Sequence, residues 1–227
     1  NLSLWKQVYG LVGYWKFDEG TGSTANDSSG NGNTGTLANS PAWVTGKVGN
    51  GALSNNNLNS HVYVPSISAF KYTGGNFTFA AWAYETQSDY GELVSKPWNG
   101  SGGYNYELIF TGSGLFYVYL GGSTGWNSSL ISVSKNQWHY FAFTLNGSTS
   151  AVKLYLDGAQ VYSGNHNIVS WAVSDESTPL AIGNLYPYGN GWGGSAGMNF
   201  GGLIDDVRIY NRALSAAEIL ALYNATR

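Results

Sequence analysis

The stretch QWHYFAFTLNGSTSAVKLYLDG, residues 137–158, decides the fold of this 227-residue chain. Trp138, Tyr140, Phe141 and Phe143 give the aromatic, half-buried pattern that suits a pleated strand. Asn146-Gly147 breaks the run, residues 152–156 form a second strand, and Asp157-Gly158 closes on a tight turn. Gly enters positive φ without a steric penalty, and Asn and Asp tolerate it, so both dipeptides suit hairpin turns. Hairpins of this kind predict an antiparallel sheet protein.

Strand-like runs recur on either side, at 13–17, 62–64, 77–84, 92–95, 104–110, 115–120, 138–145, 152–156, 160–162, 180–182 and 202–210. Gly and Asn clusters separate them, which predicts an all-β sandwich or barrel. No Pro-rich or charge-rich linker divides the chain, so residues 1–227 are expected to form a single domain. One helix stands out in LSAAEILALY, residues 214–223. Ser215 with Glu218 three positions on makes a capping box, and Leu214, Ile219, Leu220 and Tyr223 are expected on its buried face.

Composition narrows the partners. Charged residues are 10% of the chain, against roughly 25% in an ordinary soluble domain. Hydrophobic residues at 43% and aromatic residues at 15% argue for a packed core rather than disorder. With a net charge of −3 and no basic run, nucleic acid is excluded as a partner. Every apolar run is shorter than the roughly 18–20 residues that cross a bilayer as a helix, so no membrane insertion is expected. The absence of Cys removes disulfides, thiolate catalysis and cysteine metal sites together.

Catalytic signatures are missing. There is no Gly-x-Ser-x-Gly elbow and no His-Glu-x-x-His zinc motif. Glycoside hydrolysis needs two carboxylates at close spacing, whereas Glu85, Glu92, Glu107 and Glu176 stand isolated along the chain. His139 lies in the strand pattern beside Trp138 and Tyr140 and reads as structural. The chain is therefore expected not to be an enzyme, although an appendage of a polysaccharide-active enzyme would fit.

Six blocks carry a family resemblance: GLVGYWKFDEGTG (10–22), DSSGNGNTGTL (27–37), GKVGNGAL (46–53), FTFAAWAY (77–84), QWHYFAFTL with VKLYLDG, and GGLIDDVRIYNRALSAAEI (201–219). In this order and spacing they resemble the laminin G-like, concanavalin A-like lectin/glucanase superfamily. The resemblance implies a two-sheet antiparallel β-sandwich of the jelly-roll type, its first and last strands adjacent, with one short C-terminal helix. One departure is local: Ser54-Asn55-Asn56-Asn57-Leu58 stands where the family carries a Phe-Asp-Gly-like turn.

The resemblance also implies a structural calcium ion held by Asp18, Asp27, Asn31 and Asp205, since hard cations take oxygen ligands of this kind. From the residues alone, 27–33 reads as an Asx-rich turn with solvated carboxylates. Strand alternation places Asp205 with Val207 and Ile209, and Asp206 with Arg208. An inward carboxylate needs a partner, which favours Asp205 as a ligand.

For function, the resemblance implies a non-catalytic carbohydrate-binding module on a secreted or cell-surface bacterial protein, tethered to further domains. Nine Trp and 17 Tyr exceed what a core requires. Several lie in Gly/Asn-rich segments: Trp98 in SKPWNGSGG, Trp126 in GSTGWNSS, and Tyr186, Tyr188 and Trp192 in LYPYGNGWGGS. Flat rings stack on the C–H faces of sugars and amides bond their hydroxyls, which suits a neutral glycan or polysaccharide. The same rings could instead cover the sandwich edges. Trp15, Trp82 and Trp138 fall in strand patterns and are expected in the core. A laminin G-type protein-interaction or adhesion module is the second reading, and a glycoside hydrolase with an unfamiliar carboxylate pair the third.

Overall fold

A computed structural model describes residues 8–55, 60–70, 74–86, 90–97, 104–121, 126–166, 178–184 and 198–227. The strands are β1 (Leu11–Trp15), β2 (Thr24–Ala25), β3 (Gly35–Ala38), β4 (Ala42–Val44), β5 (Ala52–Ser54), β6 (His61–Val64), β7 (Asn76–Glu85), β8 (Gly91–Pro97) and β9 (Tyr104–Thr111). They continue as β10 (Leu115–Leu120), β11 (Trp126–Asn127), β12 (Ile131–Ser132), β13 (Trp138–Asn146), β14 (Ala151–Leu156), β15 (Ala159–Asn165), β16 (Leu180–Ile182) and β17 (Gly202–Tyr210). Helix α1 (Ala216–Thr226) follows the last strand.

The strands form two antiparallel sheets. The back sheet has eight strands in the order β15-β14-β13-β7-β17-β5-β4, with β1 also paired to β17. The front sheet has nine, in the order β11-β10-β9-β8-β16-β6-β3-β2, with β12 also paired to β10. The first and last strands are indeed neighbours: Tyr14 lies opposite Arg208 and Trp15 opposite Val207. The hairpin of residues 137–158 is β13-β14, in register from Phe141–Leu156 to Asn146–Ala151. The short strands β2 to β5 escaped the sequence reading because runs of two to four residues show no resolvable alternation.

Period-two alternation sorts the back sheet into two faces. Phe77, Phe79, Ala81 and Ala83 of β7, with Phe141, Phe143 and Leu145 of β13, enter the core between the sheets. Ala80, Trp82, Tyr140 and Ala142 point the other way and pack beneath α1. Trp15 and Trp82 are fully buried, and Trp138 packs half-buried beside the second cluster.

The capping box forms as expected: Ser215 N donates to Glu218 Oε2 (2.8 Å) and Glu218 N to Ser215 Oγ (3.3 Å). The buried face of α1 differs by one residue. Leu214, Ile219 and Leu222 are buried, Tyr223 packs alongside, and Leu220 is 45% exposed. Residues three apart share a helix face, so Leu222 aligns with Ile219 while Leu220 is turned away.

A second correction concerns β17. The register with β7 shifts between Asp205 and Arg208, and Asp206 adopts φ +53. This bulge breaks the alternation assumed from sequence. Asp205 lies opposite Trp82 and therefore shares the helix-bearing side with Arg208, not the core side with Val207 and Ile209.

Candidate functional site

The residues expected to bind calcium fall into two separate settings. Asp18 and Asp205 both serve the loop GKVGNG. Asp18 Oδ1 accepts from Asn50 N (2.6 Å) and Gly51 N (3.1 Å), and Asp205 Oδ2 accepts from Lys47 N and Val48 N (both 2.8 Å). Glycine spacing in this block has a steric reason. A Cβ at Gly46 would lie 2.0 Å from Gly51 O and 2.7 Å from Asp205 Oδ2, and one at Gly49 would lie 2.3 Å from Asp18 Oδ1.

Asp27 instead ties the following turn to β1. Its Oδ1 accepts from Tyr14 N (3.0 Å) and Ser29 N (2.8 Å), and its Oδ2 from Ser29 Oγ and Asn33 N (both 2.8 Å). Asn31 Nδ2 donates to Leu11 O (3.0 Å) and Val12 O (3.2 Å). With two donors on each oxygen, the Asp27 carboxylate has no lone pair left for a cation. Among the described residues, no three His, Cys, Asp or Glu side chains gather at a spacing that holds a metal. Asp18, Asp27 and Asp205 thus accept from backbone N–H groups, Asn31 donates from Nδ2, and Asp205 Oδ1 is buried without a partner. Burial pushes the Asp205 carboxyl up to about 7, against the pull of its two backbone donors.

Trp98, Tyr186, Tyr188 and Trp192 lie outside the described residues. Trp126 is described in its backbone, which pairs in β11 with Leu120 of β10.

A different polar and aromatic group is assembled on the outer face of the front sheet. Tyr106, Leu108 and Phe110 of β9 and Phe116, Val118 and Leu120 of β10 enter the core. The alternate residues therefore face away from it. Opposed residues share a side, so the register builds two rows. Ser95, Glu107 and Tyr119 align across β8, β9 and β10, and Glu92, Ile109 and Tyr117 align beside them. Glu92 and Glu107 are 1% and 3% exposed, Tyr117 and Tyr119 half-buried, and Tyr90 50% exposed.

The electrostatics agree with that placement. Burial raises both carboxyls well above the ordinary range, and Glu107 is raised further by the neighbouring Glu92 charge. Burial also pushes the Tyr117 phenol up to about 12, assisted by Glu107, Tyr90, Glu92 and Tyr119. Two carboxylates that looked isolated in sequence are thus neighbours under a tyrosine rim. The signal was available in the alternation of LFYVYL and YELIF, but strand register was needed to join them.

The Asn55 that marks the departure from the family pattern is buried, donating from Nδ2 to Phe200 O (3.2 Å) and accepting at its O from Asn199 Nδ2 (3.0 Å). It is a structural tie between the segments that flank β16 and β17.

Comparison with known proteins gives a consistent picture. A laminin G-like model of the concanavalin A-like lectin/glucanases superfamily matches residues 55–220. Adhesion G-protein coupled receptor V1 of Danio rerio is 26% identical over 182 residues, which are 77% of this chain and 3% of the receptor. Domain 4 of AbnA, a GH43 extracellular arabinanase from Geobacillus stearothermophilus in complex with arabinotriose, superposes with a TM-score of 0.70 at 22% identity, over 94% of this chain and 98% of that one. The binding domain of Botulinum neurotoxin DC, in complex with rat synaptotagmin II, superposes with a TM-score of 0.71 at 12% identity, over 97% and 52% of the two chains. Among the described residues no helix is long and apolar enough to cross a membrane.

Proposed function

The chain belongs to the concanavalin A-like lectin/glucanases superfamily, and on that premise we propose that it is a non-catalytic carbohydrate-binding module for a neutral glycan. The observation that carries this reading is the outer face of the front sheet, where Tyr90, Tyr117 and Tyr119 border Glu92 and Glu107. Tyrosines offer an apolar ring with a polar tip. The carboxyls beneath them are buried, so contact with a sugar falls to the rings and phenol hydroxyls. Similarity in fold to an arabinanase domain in complex with arabinotriose supports the same class of ligand. Role and location follow: the module holds a larger secreted or cell-surface protein against polysaccharide.

Glycan arrays and affinity electrophoresis in polysaccharide gels test this. Tyr117→Ala and Tyr119→Ala are expected to weaken retention about tenfold or more, equal to about 1.4 kcal/mol. Trp98→Ala and Trp192→Ala test the loop aromatics in the same gels. Failure of the wild-type protein to bind any neutral glycan would sink the reading and favour a protein-interaction module. That second reading is supported by the similarity to an adhesion receptor and to a toxin domain in complex with synaptotagmin. Release of sugar product would instead point to hydrolysis by Glu92 and Glu107.

A further inference from the structure

Three polar side chains stand in line at the rim of the sandwich. Ser134 Oγ lies 3.0 Å from His139 Nε2, and His139 Nδ1 lies 2.7 Å from Asp157 Oδ2. Ser134 comes from the connection between β12 and β13, His139 from the start of β13, and Asp157 from the turn between β14 and β15. Each is held from behind. Asn136 takes a left-handed φ of +59 and donates its N–H to Glu85 O (2.9 Å), which anchors the connection that carries Ser134. The His139 ring meets Phe141 edge-on, 6.1 Å between centroids, and Asp157 Oδ1 accepts from Tyr140 N (2.9 Å).

The order of donors and acceptors follows from the chemistry. A carboxylate only accepts, so the contact with Asp157 places the imidazole proton on Nδ1 and leaves the lone pair on Nε2. Ser134 Oγ–H then donates to Nε2. A base within about 2.6–3.2 Å of a hydroxyl, itself oriented by a third group, is the arrangement that activates a serine. Ser134 is exposed and His139 half-buried, so the hydroxyl is what an incoming molecule meets. Gln137 Nε2 also donates to Ser134 Oγ, which places a neutral donor beside the position where a carbonyl oxygen would gain charge. No sequence motif marks the group, since such a triad is defined by geometry and not by spacing along the chain.

We propose that Ser134 is a nucleophile that accepts an acyl group from a carboxylic ester, with His139 as its base and Asp157 as a positioning residue. Oγ attacks the ester carbonyl while its proton passes to His139 Nε2. The C–O bond to the alcohol then breaks, and Nε2 returns the proton to the departing oxygen. An acyl-serine and a free alcohol remain, and no oxidant, metal or further reactant enters. This chemistry modifies the protein's own serine; it goes beyond the glycan reading and does not require it.

The test is labelling of the whole chain, without glycan, by p-nitrophenyl acetate and by a fluorophosphonate, which loses fluoride as Oγ bonds to phosphorus. Wild type is expected to release a burst of p-nitrophenol equal to the protein present and to carry the phosphonate on Ser134 in peptide maps. Ser134→Ala should abolish both. His139→Gln should slow labelling about 100-fold or more, the usual share of a general base. Asp157→Asn, which no longer fixes the tautomer, should slow it too. Circular dichroism melts of the variants separate this effect from loss of fold, because a purely structural contact would move Tm and leave the labelling rate of folded protein unchanged. Ser148 is the internal comparison: its Oγ donates to Asn146 Oδ1 (2.7 Å), an amide that cannot act as a base, and it should stay unlabelled. Wild type that takes no label overturns the proposal, as does label that persists in Ser134→Ala or a wild-type rate in folded His139→Gln and Asp157→Asn.

Discussion

His139 Nδ1 lies 2.7 Å from Asp157 Oδ2, joining the start of β13 to the turn between β14 and β15. Asp157 Oδ1 accepts from Tyr140 N (2.9 Å), so one carboxylate fixes both a side chain and a backbone amide. The aspartate holds φ +50, a left-handed conformation that Asp and Asn tolerate. Asp157→Ala is therefore expected to lower stability by about 1–3 kcal/mol in urea unfolding. Asp157→Asn keeps the turn and should lose less. An alanine variant equal to wild type would show the contact to be idle.

Asp27 supplies the second prediction. It accepts four hydrogen bonds from Tyr14, Ser29 and Asn33, so Asp27→Ala should cost about 2–4 kcal/mol. The loss should be equal in calcium and in EDTA. A penalty that vanishes in EDTA would return Asp27 to a cation site.

The third concerns pH. Glu85 is 3% exposed, neither carboxylate oxygen has a hydrogen-bond partner, and burial pushes its carboxyl up to about 7 against the attraction of Lys135. The folded protein then binds more protons than the unfolded chain between the ordinary value of 4.5 and about 7. Stability from this group is present below that window and falls as pH rises through it. Glu85→Gln should flatten the fall and raise Tm at pH 8. Parallel Tm profiles for the two proteins between pH 4 and 8 would contradict the assignment.

At the helix, Ser215→Ala removes the N-cap acceptor for Glu218 N and should cost about 1 kcal/mol. Glu218→Ala also breaks the 2.8 Å contact with Arg212 Nη1. Chemical denaturation of both variants checks whether the box acts as a unit.

Glycine substitutions separate tight from open positions. Gly46→Ala would place Cβ 2.0 Å from Gly51 O, backbone that cannot swing aside, and should prevent folding or cost several kcal/mol. Gly75→Ala meets nothing within 4 Å and should be tolerated. Circular dichroism melts of the pair decide it.

Much of the architecture was legible in local chemistry. Alternation in FTFAAWAY and QWHYFAFTL, the Asp157-Gly158 turn and the Ser215–Glu218 box each report on neighbours within a few residues, and each reappears as read. Asp205 was misplaced because a single left-handed residue, Asp206, inserts a bulge that no periodicity announces. The calcium ligands were expected from the family resemblance, and only the structure shows which donors each carboxylate already meets. Asp27 spends all its lone pairs on donors from β1 and its own turn.

By itself the sequence determined an all-β fold built on hairpins and the capped helix, because a period of two and turn-forming residues act over short distances, and the family resemblance selected the two-sheet sandwich. Its low charge and abundance of rings carried the expectation of a neutral ligand rather than nucleic acid. Only the tertiary structure brought Glu92 beside Glu107 beneath Tyr117 and Tyr119. That meeting depends on which strands pair and in what register, including a shift between Glu92 and Val94. A one-residue slip would turn each side chain to the opposite face.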